Sequence, residues 1–283
     1  MASDGAPATP AVRPSRAGRN LAAAISVGVG LGGAILLSLM LVREVFIGVV
    51  ALAAAVGTWE LAGALRRGAG TVVPLPVLLL GGQAMVWLAW PFGLGGLAVA
   101  FAATVVAALL WRMPAGPDGF VRDVTASVFT AAYVPMLCAF ATLLTVPADG
   151  AGRVLTFLLC VIASDVGGYA TGVLAGRHPM APTISPKKSW EGFAGSLLAG
   201  TVAGALCVAG LLDAPWWAGA LTGAVLVVSA TLGDLIESLV KRDLGIKDMG
   251  TLLPGHGGLM DRLDSLLPTA FVAWVLLTVL VPV

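Results

Sequence analysis

The chain has 283 residues, of which 58% are hydrophobic and only 11% charged, and its formal net charge is +1. A soluble domain carries about 25% charged residues, so a surface solvated all round is excluded, and the charge balance gives no case for a nucleic-acid partner. Cys138, Cys160 and Cys207 lie inside apolar runs without Cys-x-x-Cys spacing and read as small core residues, not as a disulfide framework or zinc site.

Residues 1–19 are rich in Ala, Pro, Ser and Arg and read as a disordered cytoplasmic tail. A bilayer core takes about 20 apolar residues per helix. Runs of that size follow at 21–41, 45–65, 72–92, 94–111, 124–146, 154–176, 193–212, 216–240 and 265–283. The expected fold is all-α, a polytopic transmembrane bundle of about nine spans. The first run exceeds the apolar core of a signal peptide, which is about 7–15 residues, and reads as a retained span. Its Gly28 and Gly32 read as helix packing, and Glu60 in the second run belongs to no assignable motif. The third and fourth runs are divided only by Pro91-Phe92-Gly93, a tight turn.

Basic residues orient this bundle. With nine spans and a cytoplasmic N-terminus, fourteen of the sixteen Lys and Arg fall on the inner side, leaving Arg43 and Arg153 outside. That asymmetry is what the positive-inside rule expects. The expected organisation is a scaffold of about five spans over 20–147, then a region 148–283 carrying two polar cytoplasmic loops, 177–192 and 241–264. Loops on a rigid scaffold are where chemistry concentrates.

In the sixth run, Gly168, Gly172 and Gly176 make a small-x3-small stripe, first a packing feature. Asp165 lies on the same side, where Tyr169 could hold it or shape a polar cavity. It reads equally as nucleotide-site support or as a structural polar contact. The loop that follows ends in Ser185-Pro186-Lys187-Lys188-Ser189-Trp190-Glu191-Gly192. Lys187 and Lys188 offer cations to phosphate, Trp190 suits the headgroup level, and Ser185 or Ser189 could cap the next helix.

The eighth run ends with Asp234, Glu237 and Lys241 at i, i+3, i+7, on one helical face. Acids at such depth face a bundle interior, a partner or a wet cavity; a structural ion pair is the plain alternative. Beyond it, Gly255, Gly257 and Gly258 flank His256 and permit a tight turn whose N–H groups could cradle phosphate. Lys241, Arg242, Lys247 and Arg262 could neutralise a polyphosphate. Asp261 and Asp264 are three apart before the last span, and Mg²⁺ prefers such sparse oxygen ligands with room for substrate phosphates. Each feature alone has a plain reading, since glycine turns join helices and acids complement helix dipoles.

The 27 positions from Ser238 to Asp264 fit, without departure, a pattern that resembles the signature of phosphatidate cytidylyltransferases: Ser238-x-Val240-Lys241-Arg242-x4-Lys247-Asp248-x-Gly250-x2-Leu253-Pro254-x-His256-Gly257-Gly258-Leu259-x-Asp261-Arg262-Leu263-Asp264. The 185–192 block resembles a second family segment in which Thr is more usual at position 189. The resemblance covers about the last third of the chain. It implies cytidylyl transfer from CTP to phosphatidic acid, giving CDP-diacylglycerol and pyrophosphate for phospholipid synthesis. It also implies a catalytic set of Asp234, Asp261, Asp264 and Lys241, with the three aspartates on Mg²⁺ and with room for a second cation. Substrate binding is expected from Ser185, Lys187, Lys188, Ser189, Asp165, Arg242, Lys247, Asp248, His256, Gly257, Gly258 and Arg262. A bacterial inner membrane, a site facing the cytoplasm and, from the glycine-rich faces, a homodimer are expected. A CTP-dependent polyprenol kinase, releasing CDP, and a transporter are the competing readings. A transporter would keep its polar residues near the midplane.

Overall fold

The computed structural model describes residues 43–250 and 257–282, together with Gly33, Leu39 and Leu252. The expected tail 1–19, most of the run 21–41 with Gly28 and Gly32, and His256 lie outside the described residues. The described chain is helical apart from one small hairpin. Its order is α1 Arg43–Ala69, α2 Leu75–Arg112, α3 Phe120–Ala131, α4 Leu137–Leu144, α5 Gly150–Ala175, β1 Pro179–Ala181, β2 Ser185–Ser189, α6 Trp190–Leu211, α7 Trp216–Asp243, α8 Met260–Leu263 and α9 Leu266–Leu280. Seven helices among the described residues are long and apolar enough to cross a membrane, α3 with α4 and α8 with α9 counting as one each. The protein is a multi-pass membrane bundle.

At about 1.5 Å per residue, the 38 residues of α2 would reach about 57 Å if straight, far beyond a hydrocarbon core of about 30 Å. It is not straight. Gly93 leaves helical geometry at φ 57°, ψ −144°, a conformation open to glycine because it has no Cβ. A Cβ on Gly81 would run into the Thr104 side chain, and one on Gly96 into the Leu88 carbonyl. Pairs so placed about residue 92 require the two legs to lie antiparallel, so the chain doubles back at Pro91-Phe92-Gly93. Between α3 and α4 the helix widens into a π-turn over Ala132–Met136 that contains Pro135. Proline has no N–H and crowds the carbonyl four residues back, and the wider turn accommodates both defects.

Helices α5, α6 and α7 interlock through small residues. A Cβ on Gly204 would strike the Gly219 carbonyl, and Gly168 lies against the Ser196 hydroxyl. Lipid supplies no hydrophobic drive for helices to associate, so close backbone approach provides the contact energy. The glycine faces that suggested a homodimer are therefore spent, at these positions, inside one chain.

The polar ends sort into two sides. On one lie the end of α1, the 113–119 turn, the hairpin and the segments 244–250 and 257–259: Arg67 donates to the Met249 carbonyl at 2.9 Å, and Arg112 pairs with Asp123 at 2.9 Å. On the other, Arg43 donates to the Ala148 carbonyl. There too Arg153, 2% exposed, pairs with Asp149 and donates to the Leu277 and Val281 carbonyls at 2.7 and 2.5 Å.

Candidate active site

The polar side carries a cavity of about 460 Å³ between α5, the hairpin, the start of α6, the end of α7 and α8. The hairpin forms because its ends are tied. Glu191 Oε2 accepts the N–H groups of Arg177 and His178 at 3.1 and 3.2 Å, and Oε1 meets His178 Nδ1 at 2.5 Å. Ser189 then caps α6, its hydroxyl accepting the Gly192 N–H at 3.1 Å. Of the two capping candidates, Ser189 takes the role, while Ser185 opens β2 outside the cavity lining. Trp190, beside the cap, is 56% exposed, and the strand Ser185–Ser189 within the 177–192 loop is a product of this closure.

The tied hairpin presents Lys187 and Lys188 to the cavity. Lys188 Nζ lies 2.6 Å from Asp234 Oδ2, joining the hairpin to α7. Asp165 and Tyr169 line the opposite wall from α5, with Tyr169 76% exposed. Asp234 and Asp264 both open on the cavity; one oxygen of Asp264 accepts the Ser265 N–H at 2.7 Å. Arg262 and Asp261 complete the lining from α8.

The i, i+3, i+7 face of α7 divides its labour. Glu237 is fully buried, and Lys241 Nζ bridges Glu237 Oε2 at 2.8 Å and Asp261 Oδ1 at 2.9 Å. Asp261 also accepts the Met249 N–H at 3.1 Å and the Gly258 N–H at 2.8 Å. It therefore holds together the start of α8 and the preceding loop. The glycine-rich turn differs from the expected phosphate cradle in one respect. Gly257 takes the left-handed φ of 80°, but the Gly258 N–H is used by Asp261 instead of standing open. Arg242, Lys247 and Asp248 are exposed and outside the cavity lining, with Asp248 Oδ1 lying against the Gly257 turn.

Three buried polar groups outside the expected set stand behind this site. Glu60 of α1 accepts the Met260 N–H at 2.7 Å. Glu60 Oε1, Glu237 Oε1 and the Tyr133 hydroxyl have no hydrogen-bond partner among the described residues. The signal for Glu60 was an acid inside an apolar helix, which marks a polar contact by itself; its partner lies 200 residues away and no spacing rule reaches it. Among the described residues no three His, Cys, Asp or Glu side chains converge as a ready metal cage.

Residues 22–280 match the cytidylyltransferase family. The phosphatidate cytidylyltransferase of Mycobacterium bovis is similar to this chain at 50% identity over 289 aligned residues, covering 98% of this chain and 94% of its own. That of Mycobacterium leprae is 52% identical over 281, covering 94% and 90%. A phosphatidate cytidylyltransferase of Synechocystis is 42% identical over 140 residues, 47% of this chain and 46% of its own.

Proposed function

The chain belongs to the cytidylyltransferase family, and we infer that it performs the reaction for which its half-identical, near full-length relatives are named, transferring a cytidylyl group from CTP to phosphatidate. The observation that carries this reading is the cavity itself, in which Lys187, Lys188 and Arg262 meet Asp234 and Asp264 at the polar end of an apolar bundle. Two polyanions must meet there, one from water and one from the bilayer.

A phosphate oxygen of phosphatidate attacks the α-phosphorus of CTP. A new P–O bond forms, the bond to the bridging oxygen breaks, and pyrophosphate leaves with that electron pair, giving CDP-diacylglycerol. The nucleophile is already an anion at neutral pH, so no strong general base is required. What accelerates the step is in-line placement and cancellation of charge. Lys187 and Arg262 are placed to meet phosphate oxygens, and Lys188 can turn from Asp234 toward substrate when CTP arrives. Lys241 is held by Glu237 and Asp261 and keeps the loop end charged and ordered.

Asp234 and Asp264 fit Mg²⁺, which takes one or two carboxylates and completes its shell with waters and substrate phosphates. Asp261, already engaged by Lys241 and two backbone N–H groups, would contribute less directly. Bound there, the ion would offset phosphate charge. The basic residues of the site side, against Arg43 and Arg153 opposite, support an N-in bundle with the site facing the cytoplasm of a bacterial inner membrane.

Detergent-purified protein given CTP, phosphatidate and Mg²⁺ should release pyrophosphate and form CDP-diacylglycerol in equal amounts. Release of CDP would instead identify a lipid kinase, and absence of nucleotide turnover would remove the enzymatic reading. Asp264→Asn should slow turnover by about 100-fold or more; a full rate would remove this residue from the metal set.

A further inference from the structure

Helix α1 meets the loop before α8 with two polar side chains two helical turns apart. Glu60 is 3% exposed, and its Oε2 accepts the Met260 N–H at 2.7 Å. Arg67, seven residues on and therefore on the same face, donates to the Met249 carbonyl at 2.9 Å. Between these anchors two glycines approach the carboxylate closely. A Cβ on Gly250 would run into Glu60 Oε1, and one on Gly258 would lie 2.5 Å from Oε2. Glycine at 250 and 258 is what lets the backbone come this near.

A carboxylate buried in a low-dielectric interior is costly unless its contacts compensate. Here the groups it holds are those that set Asp261. Met249 receives Arg67 on its carbonyl and gives its N–H to Asp261. Met260, bound by Glu60, immediately precedes Asp261, and Gly258, packed on Glu60, gives its N–H to Asp261. We propose that Glu60, assisted by Arg67, is a positioning residue for the cytidylyl transfer: it fixes the backbone at Met249–Gly250 and at Gly258–Met260 in the register that turns Asp261 and Arg262 to the cavity. Glu60 does this through the loop and without touching substrate. The proposal rests on the function inferred above, and it gives the scaffold helix α1 a part in the chemistry.

The test compares wild type with Glu60→Ala, Glu60→Gln, Gly250→Ala and the Glu60→Ala/Gly250→Ala double variant, in detergent with CTP and phosphatidate. Glu60→Ala should lower kcat by about 30-fold or more with KM for CTP changed less than about threefold, the signature of a misplaced site. Glu60→Gln keeps an acceptor for the Met260 N–H and should return to within about tenfold of wild type. Gly250→Ala should slow wild type yet add nothing to Glu60→Ala, because the atom it strikes is then gone. Backbone amide exchange over 244–263 should quicken in Glu60→Ala and stay unchanged elsewhere. Wild-type kcat in Glu60→Ala, a Gln variant as slow as the Ala variant, or additive losses would each overturn the proposal. Should Glu60→Ala fail to fold, Arg67→Met at the exposed helix end takes its place, and wild-type kcat there overturns it equally. If wild type itself forms no CDP-diacylglycerol, the functional reading falls, while amide exchange still decides whether the clamp exists.

Discussion

Arg153 and Glu60 are single charges buried by their own helices, and each is tied to a segment far away in sequence. Arg153 serves the side away from the cavity. Its guanidinium pairs with Asp149 and donates to the Leu277 carbonyl in the last turn of α9 and to that of Val281 just beyond the helix. A cation at a helix C-terminus satisfies orphan acceptors and opposes the helix dipole. Arg153→Met should therefore lower the stability of the detergent-solubilised protein by about 3 kcal/mol, read by thermal unfolding, while turnover per folded molecule is unchanged. In the sequence Arg153 was an exception to a charge rule. Its function at that spot was hidden because its partners are backbone carbonyls about 120 residues away, and carbonyls have no sequence signature. Among the expected site residues, Lys187, Lys188, Asp234 and Arg262 share the cavity wall. The two lysines were legible as cations of a polar loop, and Asp234 as an acid at the end of an apolar helix. The division between Asp234, paired with Lys188, and Asp261, bound up by its own loop, was not, because both are the same residue in the same stretch.

Among the elements, helices were the easiest to foresee, because about 20 consecutive apolar residues leave the backbone no alternative in lipid. The turn at Pro91-Phe92-Gly93 was the weakest division in the sequence, only three residues between two apolar runs, and the non-helical Gly93 is what makes it. The β1–β2 hairpin was not foreseen. β1 is too short and β2 too polar to carry an alternating apolar pattern, and they are set by Glu191 gathering two N–H groups and the His178 ring. Nor was the π-turn at Pro135 expected within the run 124–146. The interlocked α5–α6–α7 layer carries its own prediction. Gly204 lies against the Gly219 backbone, so Gly204→Leu must spread α6 from α7. It should destabilise the protein by about 1–3 kcal/mol and slow turnover, because the cavity is walled by the ends of these same helices. Unchanged unfolding temperature and rate would show that the layer tolerates separation.

For the whole molecule, two sides of unequal chemistry sit at opposite ends of one bundle. Among the described residues, the side with the cavity carries all the Lys and Arg but two and every expected site residue, and the other carries Arg43 and Arg153. A cysteine in place of Asp118, on the cavity side, should resist an impermeant maleimide in intact cells and react after lysis, whereas one in place of Ala148 should react in intact cells. The reverse pattern would invert the orientation. Membrane residence, the approximate spans and the kind of chemistry were set by the sequence alone, because hydrophobic length, charge side and a dense polar signature are local properties of consecutive residues. Tertiary structure alone decided which carboxylates open on the cavity, which are spent on the protein, and that Glu60 of α1 holds the Met260 N–H at the start of α8. Those outcomes depend on distances between helices that the chain separates by up to 200 residues, and burial and backbone partners exist only once the helices have packed.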